Sequence, residues 1–145
     1  MLIYKEKINK EDKIKISSII EKISDIYKDF YITKNNLRLF IHDNVDLLFD
    51  CLNNGDKIVY GEEGILLVTG YSDSSKRKYL KILSENINDA IKLITLLIWN
   101  LESIDLYIKV KKYNPIIKAL MENDFRFFAG RGKELLYLRK GKINK

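Results

Sequence analysis

The stretch YIKVKKYNPIIKALMENDFRFFAGRGKELLYLRK, Tyr107 to Lys140, decides the fold. Leu106, Ile108 and Val110 alternate with Tyr107, Lys109 and Lys111, a period of two that predicts a strand with one buried face, ending near Lys112. Asn114 can accept from the free amides of a following turn, and Pro115 has no N–H to lose at a first helical position. Ile116, Ile117, Leu120 and Met121 then recur at helical spacing, so a short capped helix is expected. After Asn123-Asp124 come Phe125, Phe127 and Phe128, a turn at Gly130-Arg131-Gly132, and Leu135 to Leu138, which are apolar on both faces. This last strand is therefore expected inside a sheet, beside the strand that holds Ile108.

Upstream of this unit, Leu2 to Ile8 alternates as a first strand, and Asn9 with Asp12 three residues on has the form of a helix cap. Ile14, Ile19, Ile20, Ile23, Ile26, Tyr27 and Phe30 follow at three- and four-residue spacing, predicting a long amphipathic helix. Tyr31 to Ile41 suits either a strand or a short helix. Asp43 caps a second helix over Val45 to Leu52, stopped by Asn53-Asn54-Gly55. Asp56 to Tyr60 turns at Gly61 to Gly64 into Ile65 to Gly70, and a second turn around Ser72 to Ser75 leads into Tyr79 to Leu83, giving a three-stranded meander. Ile87, Ala90, Ile91, Ile94, Leu97, Ile98 and Leu101 form the next helix.

Strand, helix, strand, tight turn and closing strand is also how the acyl-CoA N-acyltransferases of the GNAT superfamily end. "NPIIKALMENDFRFFAGRGKELLYLRK" resembles that family's run of Asn, helix, Gly-Phe, strand, turn and final strand, most of all in divergent GNAT-like proteins encoded by bacteriophages. The resemblance covers the last third closely and the middle third by element order. It implies an α/β (α+β) domain over residues 1–145, a mixed, mostly antiparallel twisted sheet with about four helices on its two faces. It also implies two parallel strands, Tyr79–Leu83 and Ile104–Val110, that splay apart to admit acetyl-CoA.

Two motifs of the family are missing. The loop that holds the CoA pyrophosphate, Gln/Arg-x-x-Gly-x-Gly/Ala, corresponds to Ser84 to Ala90, which has no glycine and carries Glu85 and Asp89. Those carboxylates suit a helix start but repel a pyrophosphate, so Ser84 to Asn88 is expected to be a poor anion site. Lys76, Arg77 and Lys78 lie too far along an extended chain to replace it. The tyrosine that protonates the leaving thiolate in many relatives falls on Leu120, which cannot transfer a proton. The resemblance leaves Tyr113 as a substitute acid and Asn114 as a contact for the pantetheine arm; without the family, the two are a strand-end aromatic and a helix cap. The family's glycine before Phe125 is Asp124, a residue that tolerates left-handed backbone.

Arg131 and Lys133, between and beside turn glycines, form the sharpest candidate pair for a phosphate, as well as an ordinary hairpin tip. His42 is the single histidine, at a helix start, and Glu62 and Glu63 sit in a turn. No metal-ligand spacing, phosphate-binding Gly-rich loop or hydrolase triad is present. The single cysteine, Cys51, lies in an apolar helical pattern and reads as a buried thiol. No apolar run approaches the length of a membrane span and no signal-like region opens the chain, which predicts a cytoplasmic protein, in a host cytoplasm if phage-encoded.

The net charge of +6 is unevenly placed: Tyr107 to Lys145 holds eleven Lys and Arg against three acidic residues, and the rest fifteen against seventeen. Such a basic end attracts phosphate, CoA or nucleic acid, or simply solvates exposed faces. Three readings follow. One is an N-acyltransferase moving acetyl from acetyl-CoA to an amine. Another is a GNAT-fold protein that has lost CoA binding and serves as a binding or assembly module, in a phage particle or on a host protein. The third is a nucleic-acid binder through the basic C-terminal end, for which the interleaved exposed aromatics that single-strand binding favours are not expected.

Overall fold

The computed structural model describes residues 1–23, 31–34, 37–40, 56–70 and 77–142. Within them the chain runs β1 (Ile3–Lys5), α1 (Lys10–Lys22), β2 (Tyr31–Lys34), β3 (Leu37–Phe40), β4 (Lys57–Gly61), β5 (Gly64–Gly70), β6 (Lys78–Leu83), α2 (Ile87–Asn100), β7 (Leu106–Lys111), α3 (Ile116–Glu122), β8 (Arg126–Arg131) and β9 (Glu134–Arg139). A seven-stranded sheet has the order β1-β4-β5-β6-β7-β9-β8, and β2 pairs with β3 in a separate hairpin. All neighbours are antiparallel except β6 and β7. The expected helix at Asp43–Leu52, with His42 and Cys51, lies outside the described residues, as do the continuation of α1 to Phe30, the turn at Ser72–Ser75 and Lys76. Among the described residues three helices are present, and none is long and apolar enough to cross a membrane.

One face of the sheet is covered by α2 and α3. Ala90, Leu93, Ile94 and Leu97 of α2 pack on Val59, Leu66, Val68, Leu80 and Ile108, with Ile116, Leu120 and Phe125 completing this core. The opposite face carries α1, whose Ile16, Ile20 and Ile23 meet Ile58, Tyr60, Ile65, Leu67 and Leu83. Burial of each such side chain contributes about 1.5–3 kcal/mol. The α1 stripe passes through Ile16 and not through Ile14, which is 65% exposed; the helical phase fixed by the Asn9 cap turns Ile14 outward. The ambiguous segment from Tyr31 resolves as the β2–β3 hairpin, and the first strand is confined to Ile3–Lys5.

The C-terminal unit forms with the element order its pattern predicts, although the helix begins at Ile116 with Pro115, not Asn114, at the cap position. β9 lies between β7 and β8, with Ile108 facing Tyr137. Asn114 Oδ1 accepts from the Ile116 N–H at 3.0 Å, and Asp124 takes a φ of 69°, the left-handed conformation that ends α3 and delivers Phe125 to the core. Gly132, with φ 61°, opens the two-residue turn between Arg131 and Glu134, where a side chain would be strained.

Candidate active site

β6 and β7 pair only at Lys78–Leu106 and Tyr79–Tyr107, although both strands continue, to Leu83 and Lys111. β7 remains paired to β9 along its whole length while β6 stays with β5, so the two strands part beyond Tyr79 and Tyr107. The parting opens a slot through the sheet, with about 620 Å³ of space that includes open solvent.

Strand alternation gives the slot two unlike sides. Leu80, Ile82, Ile108, Val110 and Ile116 line it toward the α2–α3 core, whereas Lys81, Lys109, Lys111, Tyr31 and Glu134 line it toward the other face. Lys81 Nζ stands 4.1 Å from the centre of the Tyr31 ring, and Lys109 Nζ lies 5.7 Å from the Tyr79 ring and 4.0 Å from a Glu134 oxygen. At the closed end Tyr79 and Tyr107 stack at 5.5 Å. The Arg77 guanidinium lies 5.0 Å from the Tyr107 ring and 5.5 Å from that of Phe128. A hydrogen bond with the Tyr79 side chain, ahead of the smaller influences of Tyr107 and Tyr79 charge, holds this guanidinium still more firmly protonated.

The residues singled out in the sequence fall around the slot in different ways. Asn114 lines it, at the junction of β7 and α3. Tyr113 does not; its φ is 71°, its ring is 85% exposed, and Lys112 Nζ lies 5.4 Å from the ring centre. Arg131 and Lys133 are exposed at the β8–β9 tip, which is tied to the end of β7 by the Lys112 N–H donating to the Lys133 carbonyl at 2.7 Å. Leu120 is fully buried, its carbonyl accepting from the Phe125 N–H at 3.0 Å. Glu62 is an exposed turn residue, while Glu63 lies 3.7 Å from the terminal amine. Lys78 is bound to buried Asp56 at 2.8 Å. Among the described residues no group of three His, Cys, Asp or Glu is placed to hold a metal.

The start of α2 is capped at one amide by its own side chains. Asn86 Oδ1 accepts from the Asp89 N–H at 2.9 Å, Asn86 Nδ2 donates to Asp89 Oδ2 at 3.1 Å, and the buried Ser84 hydroxyl donates to the Asn86 carbonyl at 3.2 Å. Sequence reasoning singled out neither Lys81 nor Tyr31 and counted Lys109 only within the basic end. Their only local signal is strand alternation; the pairing that joins them is non-local.

A mixed sheet with one parallel pair that splays open between helices has the fold of the GNAT superfamily. An acetyltransferase of the GNAT family from Listeria monocytogenes superposes with a TM-score of 0.61 at 14% identity, over 94% of this chain and 93% of that one. A GNAT-family acetyltransferase from Streptococcus agalactiae gives 0.60 at 12% identity, over 98% and 96%. The Campylobacter jejuni N-acetyltransferase PseH, solved with acetyl coenzyme A, gives 0.56 at 14% identity, over 98% and 100%. No family model and no curated protein matches the sequence.

Proposed function

We propose that the protein is an N-acyltransferase that moves acetyl from acetyl-CoA to an amine, with the pantetheine arm lying in the β6–β7 slot. The observation that carries this reading is the loss of pairing after Tyr79–Tyr107, which leaves two strand edges facing a gap. Backbone amides and carbonyls along those edges need partners, and the amides of pantetheine supply them as an added strand would. The thioester then sits toward the closed end and the phosphates at the open end. Toward the closed end the amine nitrogen attacks the thioester carbonyl carbon, a C–N bond forms, the C–S bond breaks and its electron pair leaves on sulfur. The amine gives up one proton to water and the thiolate takes one.

Tyr113, next in the chain to Asn114, stands exposed at the mouth beside Lys112 and away from the closed end, so water is taken as the donor of that second proton and Tyr113 belongs to the rim. Asn114 uses Oδ1 on Ile116, so its NH₂ group is the part available to a pantetheine carbonyl. The phosphates are assigned to the basic rim of Lys111, Lys112, Arg131 and Lys133, because at the start of α2 Asn86 already caps the Asp89 N–H and Glu85 and Asp89 bring negative charge. That same cap favours a second reading, a GNAT-fold binding module without CoA. Titration calorimetry with acetyl-CoA separates the two: saturable binding supports the enzyme, and no heat at millimolar cofactor supports the module.

A further inference from the structure

We infer that Tyr113 is the stacking platform for the adenine base of the acyl-CoA, which sets the nucleotide end of the cofactor against the β7–α3 turn. This rests on the acyltransferase reading and specifies how that site recognises its cofactor.

The Tyr113 ring contributes little to the fold. The Asn114 N–H donates to the Lys111 carbonyl at 3.0 Å, which closes a turn over Lys111 to Asn114 with Tyr113 at its third position and a φ of 71°. Glycine or asparagine fits that left-handed conformation readily, whereas a tyrosine backbone is strained in it. The ring is exposed, so no burial offsets the strain. A large aromatic held out on a strained turn suits a contact with something outside the chain.

The charge around the turn identifies that contact. Lys111, Lys112, Arg131 and Lys133 are exposed beside it, and the Lys112 N–H on the Lys133 carbonyl ties the two loops together. Among the described residues none of these four cations has an ion-pair partner. The Lys112 ammonium lies 5.4 Å from the centre of the Tyr113 ring, so a phosphate that meets it brings an attached base within reach of the ring face. The cofactor's own order agrees. Outward from the thioester come pantetheine, pyrophosphate and adenosine 3′-phosphate, so with the arm in the slot and the pyrophosphate at its mouth the base emerges at the rim. The other exposed aromatic rings stand elsewhere: Trp99 is at the end of α2, and Phe127 and Phe128 are on β8, Phe128 beside Arg77 and Tyr107 at the closed end.

The test is titration calorimetry of acetyl-CoA on the parent protein and on Tyr113→Gly and Tyr113→Phe, with melting temperatures for all three. Fluorescence of the 1,N6-ethenoadenine analogue of CoA, quenched when its base stacks, reads the contact directly. Tyr113→Gly should bind acetyl-CoA about tenfold more weakly and lose the quenching of the saturated analogue. Its melting temperature should be no lower than the parent's, because glycine relieves the turn. Tyr113→Phe keeps the ring face and should hold both the quenching and the affinity, the latter within about twofold. A Tyr113→Gly variant that binds acetyl-CoA as the parent does, or that still quenches the analogue, overturns the platform and leaves the acyltransferase standing. A parent protein that binds no acetyl-CoA overturns the acyltransferase, and the platform with it.

Discussion

Tyr60→Phe is the most direct probe of how α1 is fastened to the sheet. Asp12 and Tyr60 are both buried, at 5% and 2% exposure, and the Tyr60 hydroxyl donates to Asp12 Oδ1. The other carboxylate oxygen accepts from the Asn9 N–H at 3.0 Å and lies 3.3 Å from Lys5 Nζ. Removing the hydroxyl deletes one hydrogen bond to a buried charge and leaves the rest, a loss of about 1.5–3 kcal/mol. Asp12→Ala does more: it orphans the Tyr60 hydroxyl and breaks the capping box, for about 2–5 kcal/mol. The double variant should cost less than the sum, since the two changes share one bond. Burial by itself raises the Asp12 pKa, but Tyr60, Asn9 and Lys5 together hold it below the ordinary carboxylate value. Its contribution is thus complete above the unfolded-state pKa and is lost as pH falls through the lowered folded value. Burial first, then Asp12, pushes Tyr60 from 10.0 to about 12, so its contribution is complete below pH 10 and lost as pH rises toward 12. Urea denaturation across pH reads both limbs. Tyr60→Phe should flatten the alkaline limb and move the acid limb to higher pH. A loss under about 0.5 kcal/mol with both limbs unchanged would show that this pair does not hold α1.

Other substitutions probe the site and its frame. Arg131→Ala with Lys133→Ala should weaken acetyl-CoA by about 1–3 kcal/mol per charge-assisted contact, and the remaining affinity should depend less on salt, because exposed cations are screened. A large fall in melting temperature with unchanged binding would instead make the tip structural. Tyr113→Phe should leave kcat unchanged, because the ring stands at the mouth beside Lys112; a large fall in kcat would place Tyr113 in proton transfer. Gly64→Ala should destabilise by about 1–3 kcal/mol or more, since φ is 135° and the new Cβ would stand 2.0 Å from the Leu83 carbonyl oxygen; thermal unfolding checks it.

The C-terminal unit was legible because its signals are local. Alternation sets β7, Asn114-Pro115 starts α3, Asp124 ends it, and the turn glycines fix the β8–β9 register. The Asn9–Asp12 cap was legible for the same reason. The α1 stripe was misjudged at Ile14 because several isoleucines lie within one turn of each other, and only packing selects Ile16. The segment from Tyr31 carried alternation and turn residues together and so could not be decided locally. The slot was out of reach altogether: nothing within Tyr79–Leu83 or Leu106–Lys111 shows that their pairing stops after two residue pairs.

That non-local event explains why charge alone was an ambiguous guide. Lys81 and Lys109 look like solvent-facing lysines within their own strands, and each would be one in a continuous sheet. Parting the strands turns one exposed face into two lips of a cleft, with side chains four residues beyond Arg77 and two beyond Tyr107 brought level across it. The basic surplus of the last third then divides by position. Lys109 belongs to the depth of the slot, Lys111 and Lys112 to its mouth, and Arg131 and Lys133 to a tip bound to that mouth through the Lys112–Lys133 hydrogen bond. Asn86 caps one amide at the start of α2 and Glu85 and Asp89 flank it, so the dense supply of cations that an anion would meet lies at the mouth of the slot and not at that helix.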